Sequence, residues 1–285
     1  MIKKNIPNAI TCLNLFCGCL AIAAIAGGEI IWGSILIVSA AVLDFFDGFA
    51  ARLLRVSSEI GKQLDSLADA VSFCVAPGFI LFQMITISFG HYYTPIFDRP
   101  VEVLIFSSLG FLISIFGIIR LANFNLDTRQ SENFIGVPTP ATALFVAALI
   151  PILTHGIKYN FNLNMYMPPT PEAYQALETT FRVSEFRIWI LQLLFNPYFY
   201  LGVSVVFSFL MVSSIPIFSM KFKGLKNPDN IPRLTLILIS LLLVWRLEFI
   251  GLPLIILAYV VIAFAYDITK KLFFRNNNLN NEIQS

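Results

Sequence analysis

The chain has 285 residues, of which 57% are hydrophobic and only 13% charged, against about 45–50% apolar and about 25% charged in an ordinary soluble domain. Its 19 Lys and Arg set against 17 Asp and Glu leave a net charge of +2, which excludes a polybasic nucleic-acid binder and an acidic disordered chain. About 20 apolar residues cross a bilayer, so this length holds roughly six to eight crossings and reads as an all-α polytopic membrane protein.

The first apolar stretch runs from Ile10 to Ala26. Lys3-Lys4 before it and the small residues Ala21 to Ala26 within it imitate a cleavable signal peptide. Asn8, Thr11 and Asn14, however, recur at helical spacing, for which a targeting sequence has no use, and the stretch reads as a resident helix. A Gly27-Gly28 turn leads to the second stretch, Ile30 to Ala51, and others follow at Ala68 to Phe89, Val101 to Ala122, Pro138 to His155 and Pro197 to Met220. Leu234 to Ile250 and Gly251 to Thr269 complete eight expected spans. The last two are divided only at Gly251-Leu252-Pro253 and interrupted by Trp245, Arg246 and Glu248, so they could merge into one long or re-entrant element. Between the fifth and sixth spans, residues 156–196 carry Pro168-Pro169-Thr170-Pro171 and then Ala173 to Leu194, which reads as an amphipathic helix on the outer surface. Residues 271–285, with Asn276-Asn277-Asn278, read as a disordered polar tail.

Cytoplasmic loops retain Lys and Arg. With the N-terminus inside, the outer segments hold Arg99, Lys158, Arg182 and Arg187, Arg246 sits at a turn, and the remaining 14 of 19 basic residues fall inside. Both termini are therefore expected on the cytoplasmic side. Cys12, Cys17, Cys19 and Cys74 form no CxxC pair and read as small apolar helix residues rather than a zinc or redox site.

The chemistry lies in the aspartates. Asp44, Asp47, Asp65 and Asp69 sit at the inner ends of the second and third spans, where each would cost about 2.5–3.5 kcal/mol at a helix centre and less near an interface. At 100° per residue, Asp44, Asp47, Gly48, Ala51 and Arg52 occupy one arc of roughly 140°. Gly61, Asp65, Asp69 and Ser72 form a stripe on the next helix. The short connection makes the two helices antiparallel neighbours, so four carboxylates meet. Such a cluster needs a cation, and oxygen-only ligation suits Mg²⁺, Ca²⁺ or Mn²⁺. His91 and His155 fall near the outer surface, which removes zinc and haem. A hard cation at the inner face points to a phosphate or pyrophosphate ligand, with Arg52 adding positive charge and Gly48 and Ala51 leaving room. A cation-coupled transporter is the reading from another class, although such sites lie near the midplane on broken helices and these residues lie near one face.

The run Asp44-x2-Asp47-Gly48-x2-Ala51-Arg52-x8-Gly61-x3-Asp65-x3-Asp69 resembles the signature of the CDP-alcohol phosphotransferases, with every fixed position filled. The resemblance implies an integral membrane enzyme that transfers a phosphatidyl or similar group from a CDP-linked donor to an alcohol and releases CMP. It implies a six-helix core in residues 1–220, about two additional C-terminal transmembrane helices in 221–270, and a homodimer. Asp44, Asp47 and Asp65 would bind the metal, Mg²⁺ or Mn²⁺, with Asp69 joining them and serving as general base. Gly48, Ala51 and Arg52 would hold the cytidine diphosphate, and Asn8, Thr11 and Asn14 sit where similar sequences carry polar residues on the nucleotide side.

The branch is indicated by Asp65-Ser66-Leu67-Ala68-Asp69-Ala70-Val71-Ser72-Phe73-Cys74-Val75-Ala76-Pro77, Arg120-Leu121-Ala122-Asn123-Phe124-Asn125 and Gly136-Val137-Pro138-Thr139-Pro140. These are similar to the membrane-embedded phosphatidylserine synthases of bacteria and archaea, except that Cys74 stands where glycine is more usual. The implied substrates are CDP-diacylglycerol and L-serine, in the inner membrane of a prokaryote, with the site facing the cytoplasm. Arg120, Asn123 and Lys62 are the candidate acceptor-binding residues, Arg120 and Asn123 for the serine carboxylate. Glycerol 3-phosphate or inositol phosphate as acceptor would demand a denser basic pocket than Arg120, Arg129 and Lys62 provide.

Overall fold

The computed structural model describes residues 2–56, 58–126, 133–155, 168–179, 183–218 and 230–284. Arg129, Lys158 and Arg182 lie outside the described residues. The chain is a bundle of helices. The first, α1 (Ile2–Ala26), packs along α2 (Ile30–Leu54) as an antiparallel pair. Gly28 turns the chain between them at φ +94°, a conformation open to glycine. Thr11 and Asn14 on α1 are buried.

Glu59 to Ser88 forms one 30-residue rod, made of α3 (Glu59–Asp69), a π-helical turn (Ala70–Val75) and α4 (Ala76–Ser88). Pro77 explains the widened turn: its ring removes a backbone donor and crowds the carbonyl one turn earlier, and a π-turn relieves both. The Ser114 hydroxyl donates to the Cys74 carbonyl at 2.8 Å within this turn. The next apolar run holds α5 (Val101–Ser108) and α6 (Leu112–Leu126), joined by a tight turn at Leu109–Phe111. Then come α7 (Thr139–His155), α8 (Pro171–Thr179), α9 (Glu185–Leu194) and α10 (Pro197–Val212).

Ala173 to Leu194 is not one amphipathic helix, because α8 and α9 are separate. The axis then bends by 70° between α9 and α10. Asn196 accepts from the Tyr198 backbone N–H at 2.9 Å, and the Tyr200 hydroxyl donates to the Leu194 carbonyl at 2.6 Å, so the bend leaves those groups satisfied.

A short antiparallel ribbon that the apolar pattern does not foretell pairs β1 (Asn133–Ile135) with β2 (Pro216–Phe218), in the register Asn133↔Phe218. Three residues are too few for an alternating pattern to stand out. The chain ends in α11 (Ile231–Leu247) and α12 (Gly251–Gln284). They fold back on each other: a Cβ on Gly251 would press on the Leu243 carbonyl, and Glu248 takes φ 52° at the turn. The polar tail is helical as far as Gln284, since extending a formed helix closes one hydrogen bond for each residue fixed.

Among the described residues, five helical runs are long and apolar enough to cross a membrane by length and composition, or six if the bent α9–α10 pair is one span. Of the other expected spans, α7 and α10 have 17 and 16 residues, about 24–26 Å of helix. The 39-residue run Ile231–Thr269 contains the last two, now resolved as a hairpin. The main core gathers Ile25, Ile37, Ile85, Ile150, Leu191 and Phe207 from both halves of the chain. A second core joins Val137, Phe218, Leu236 and Tyr259, fastening the hairpin to the ribbon. Outward faces carry Trp32, Phe45, Leu238 and Trp245, the surface expected against lipid.

Candidate active site

The C-terminal end of α2 is closed by Arg55 in the left-handed region, with its N–H and that of Val56 bonded to the carbonyls of Arg52 and Ala51. Ser58 then opens α3 by accepting from the Gly61 backbone N–H at 3.0 Å. The turn is short, and the two aspartate-bearing faces meet. One carboxylate oxygen each from Asp44, Asp47 and Asp65 lies within 4.8 Å of the others. No salt bridge among the described residues neutralises them: Lys62, the nearest cation in sequence, pairs with Glu59 at 3.0 Å on the exposed side of α3. Three close carboxylates without a counter-charge form a hard oxygen donor set that fits a divalent cation. Asp69 is one turn further on, outside that group but within electrostatic range of all three.

The first helix completes the site. The Thr11 hydroxyl donates to Asp47 Oδ2 at 2.7 Å and lies 3.1 Å from the Pro7 carbonyl. Beside this bond is a cavity of about 170 Å³ lined by Pro7, Asn8, Thr11, Asp47, Gly48, Ala51, Val56, Ser58, Gly61, Lys62 and Asp65. Its narrowness depends on Gly61, where a Cβ would sit 2.9 Å from Asn8 Oδ1 and from Ser58 Oγ. Arg52 is exposed and curls back toward Gly48, with its Nη1 3.5 Å from where a Gly48 Cβ would be.

A second group of polar atoms lies deeper. Asp69 Oδ1, both amide atoms of Asn14 and Arg120 Nε are buried without a hydrogen-bond partner. Asn14 comes close enough to Asp69 to interact but not in hydrogen-bonding geometry. Arg120, 7% exposed, is within electrostatic range of Asp69, Cys74 and Tyr259.

Thus Asn8, Thr11, Gly48, Ala51 and Lys62 gather around the Asp47 and Asp65 carboxylates, Arg52 lies beside Gly48, and Asn14 and Arg120 flank Asp69. Asn123 is exposed on α6, and it is Asn125 that reaches α3, exchanging hydrogen bonds with Ser66 at 3.1 and 2.9 Å. Sequence reasoning passed over Pro7, Val56 and Ser58 as lining residues. Ser58 was legible as an N-cap three residues before Gly61; the other two carry no chemical signal.

The family model for CDP-alcohol phosphatidyltransferases matches residues 4–177. The chain belongs to the CDP-alcohol phosphatidyltransferase family. It is 31% identical over 278 residues, 95% of this chain and 96% of the other, to a CDP-diacylglycerol-serine O-phosphatidyltransferase of Helicobacter pylori strain J99. A Bacillus subtilis protein of the same name is 37% identical over 144 residues, 50% of this chain and 74% of its own. An archaetidylserine synthase of Methanothermobacter thermautotrophicus is 32% identical over 145 residues, 50% of this chain and 56% of its own. The phosphatidyltransferase match ends before α9, so α9 to α12 lie outside the family model, whereas the Helicobacter pylori match extends over nearly the whole chain.

Proposed function

We propose that this chain transfers the phosphatidyl group of CDP-diacylglycerol to the hydroxyl of L-serine, giving phosphatidylserine and CMP. The observation that carries the reading is the Asp44, Asp47 and Asp65 cluster beside a cavity that Asp47 and Asp65 themselves line, in a chain similar over nearly its whole length to a protein named for that reaction. Asp44, Asp47 and Asp65 would hold a divalent cation, Mg²⁺ or Mn²⁺, and the ion would supply charge neutralisation for the donor's pyrophosphate. Asp69, one turn further along α3, would join them as a further carboxylate.

Asn8, Thr11, Gly48, Ala51 and Arg52, with Asn14 behind them, hold the cytidine diphosphate part, Gly48 and Ala51 by leaving room and Arg52 by its charge. Asp69 acts as general base. Its Oδ1 is buried and free of any hydrogen bond, so a lone pair is available to a hydroxyl. The serine oxygen bonds to the lipid-side phosphorus, the bond from that phosphorus to the bridging oxygen breaks, CMP leaves with the electron pair, and Asp69 receives the serine proton. Arg120 supplies the cation for the serine carboxylate; Lys62 and Asn123 are the more peripheral acceptor candidates. One buried guanidinium matches a monocarboxylate better than the dianionic phosphate of glycerol 3-phosphate or inositol phosphate. The site and both termini face the cytoplasm of a prokaryotic inner membrane, and the working unit is a homodimer.

Labelled serine incorporated into lipid by the purified protein, with CDP-diacylglycerol present, tests the reading. Incorporation that glycerol 3-phosphate in excess does not suppress is expected. CMP release with glycerol 3-phosphate or inositol phosphate and none with serine would move the chain to another branch.

A further inference from the structure

The run Gly136-Val137-Pro138-Thr139-Pro140 has so far no role, yet the fold holds it in place at several points. Gly136 adopts φ +74°, and a Cβ there would strike the Met211 carbonyl. Its N–H donates to the Ile215 carbonyl at 2.9 Å, and that of Val137 to the Leu210 carbonyl at 3.1 Å. Val137 is fully buried in the second core. These contacts fix where α7 begins, and α7 begins at Thr139.

Thr139 is fully buried, and its hydroxyl has no hydrogen-bond partner. Thr11, Thr86 and Thr179 bond back to the carbonyls of Pro7, Phe82 and Gln175, whereas Thr142, one turn further along α7, is buried without a partner as Thr139 is. Thr139, at the first turn, has no such helical carbonyl behind it. Leaving a buried hydroxyl unsatisfied is costly, about 1–3 kcal/mol. The first turn of α7 also contains no acidic residue to answer its positive end.

The position of Thr139 relates it to the deeper polar group. Its Cγ2 lies 3.5 Å from where a Gly117 Cβ would be, beside Cys74 Sγ. Gly117 and Arg120 are one turn apart on the same buried face of α6. Arg120, with its buried unpartnered Nε, is within electrostatic range of Asp69 and of Cys74. A buried unpartnered hydroxyl on α7, the buried unpartnered Nε of Arg120 on α6 and the buried Oδ1 of Asp69 at the end of α3 are thus carried by elements that meet at the π-helical turn Ala70–Val75, which α6 and α7 both pack against.

We infer that Thr139 and Arg120 together receive the carboxylate of an amino-acid acceptor, which sets the acceptor hydroxyl toward Asp69. The inference rests on the serine reading proposed above and adds Thr139 as a specificity-determining residue. Both donors bind a planar anion, and the positive end of α7 favours it further. An acceptor without a carboxylate leaves both donors buried and unpaired, which is how such a site rejects it.

The test is steady-state kinetics of the purified full-length protein in detergent, comparing wild type with Thr139→Val and Thr139→Ser. Valine keeps the shape and removes the hydroxyl; serine keeps the hydroxyl. Thr139→Val should raise the serine KM about tenfold, the loss expected for one hydrogen bond to a charged group. The KM for CDP-diacylglycerol should stay unchanged, and Thr139→Ser should restore the serine KM. Should Thr139→Val fail to fold, Thr139→Ala against Thr139→Ser gives the same comparison. An unchanged serine KM in the hydroxyl-free variant, or an equal rise in both KM values, overturns the role of Thr139 while serine-dependent wild-type activity stands. Wild-type protein that makes no lipid from serine overturns the acceptor reading itself.

Discussion

The Thr11 hydroxyl on α1 donates to the carboxylate of Asp47 on α2 at 2.7 Å, and Asp47 is only 6% exposed. This bond ties the first helix to the aspartate cluster. It also stabilises one carboxylate of a group in which each repels the others. Thr11→Val should lower kcat/KM about tenfold by withdrawing a hydrogen bond from a charged acceptor. Thr11→Ser should retain activity. Initial rates at saturating and limiting CDP-diacylglycerol check both variants.

Repulsion within the cluster has a thermodynamic signature. Asp44→Asn, Asp47→Asn and Asp65→Asn should each abolish transfer, yet raise the melting temperature of the metal-free protein, since one of three close carboxylates becomes neutral. About 2–4 °C corresponds to 1 kcal/mol in a chain of roughly this size. Mn²⁺ should raise the melting temperature of the wild type and leave the variants little changed. Thermal unfolding with and without the metal checks this directly.

Gly61 sets the width of the cavity. Gly61→Ala would place a Cβ 2.9 Å from Asn8 Oδ1 and Ser58 Oγ, so those two side chains, both on the cavity wall, must move and the space beside Asp65 narrows. The KM for CDP-diacylglycerol should rise about tenfold or more, as overpacking of this kind costs about 1–3 kcal/mol. Gly202→Ala, where nothing lies within 4 Å of the added carbon, is the control and should be silent.

Cys74 and Gly117 are complementary in size. A Cβ on Gly117 would lie 2.7 Å from Cys74 Sγ. Gly117→Ala should therefore destabilise the protein by about 1–3 kcal/mol. Adding Cys74→Gly should recover most of that loss, a coupling that a double-mutant cycle on unfolding measures. The exchange of glycine for cysteine in the Asp65 to Pro77 stretch thus requires a small partner on α6.

Much of the site was legible because its signals are local. The arcs on α2 and α3 follow from helical periodicity alone, and a short turn leaves the two helices no choice but to face each other. Thr11, Asn14 and Arg120 announced themselves as polar groups in apolar helices. What escaped depends on contacts distant in sequence. The β1 to β2 ribbon joins residues 133–135 to 216–218, and the role of Thr139 appears only when α7 is packed beside Gly117. The division of Ala173 to Leu194 was hidden because its mixed polar and apolar residues carry no Gly or Pro to mark a break, whereas the hairpin at Glu248 falls where Trp245, Arg246 and Glu248 interrupt the last apolar stretch. Asn123 was chosen over Asn125 by proximity to Arg120, although it is Asn125 that is bonded across to Ser66.

The most direct measurement of the central claim is CMP release from CDP-diacylglycerol and L-serine by the purified protein, wild type against Asp69→Asn, with Mn²⁺ or with chelator. The account predicts release that requires both serine and metal in the wild type and is lost in folded Asp69→Asn. Wild-type rates preserved in Asp69→Asn, or preserved in the presence of chelator, would contradict it.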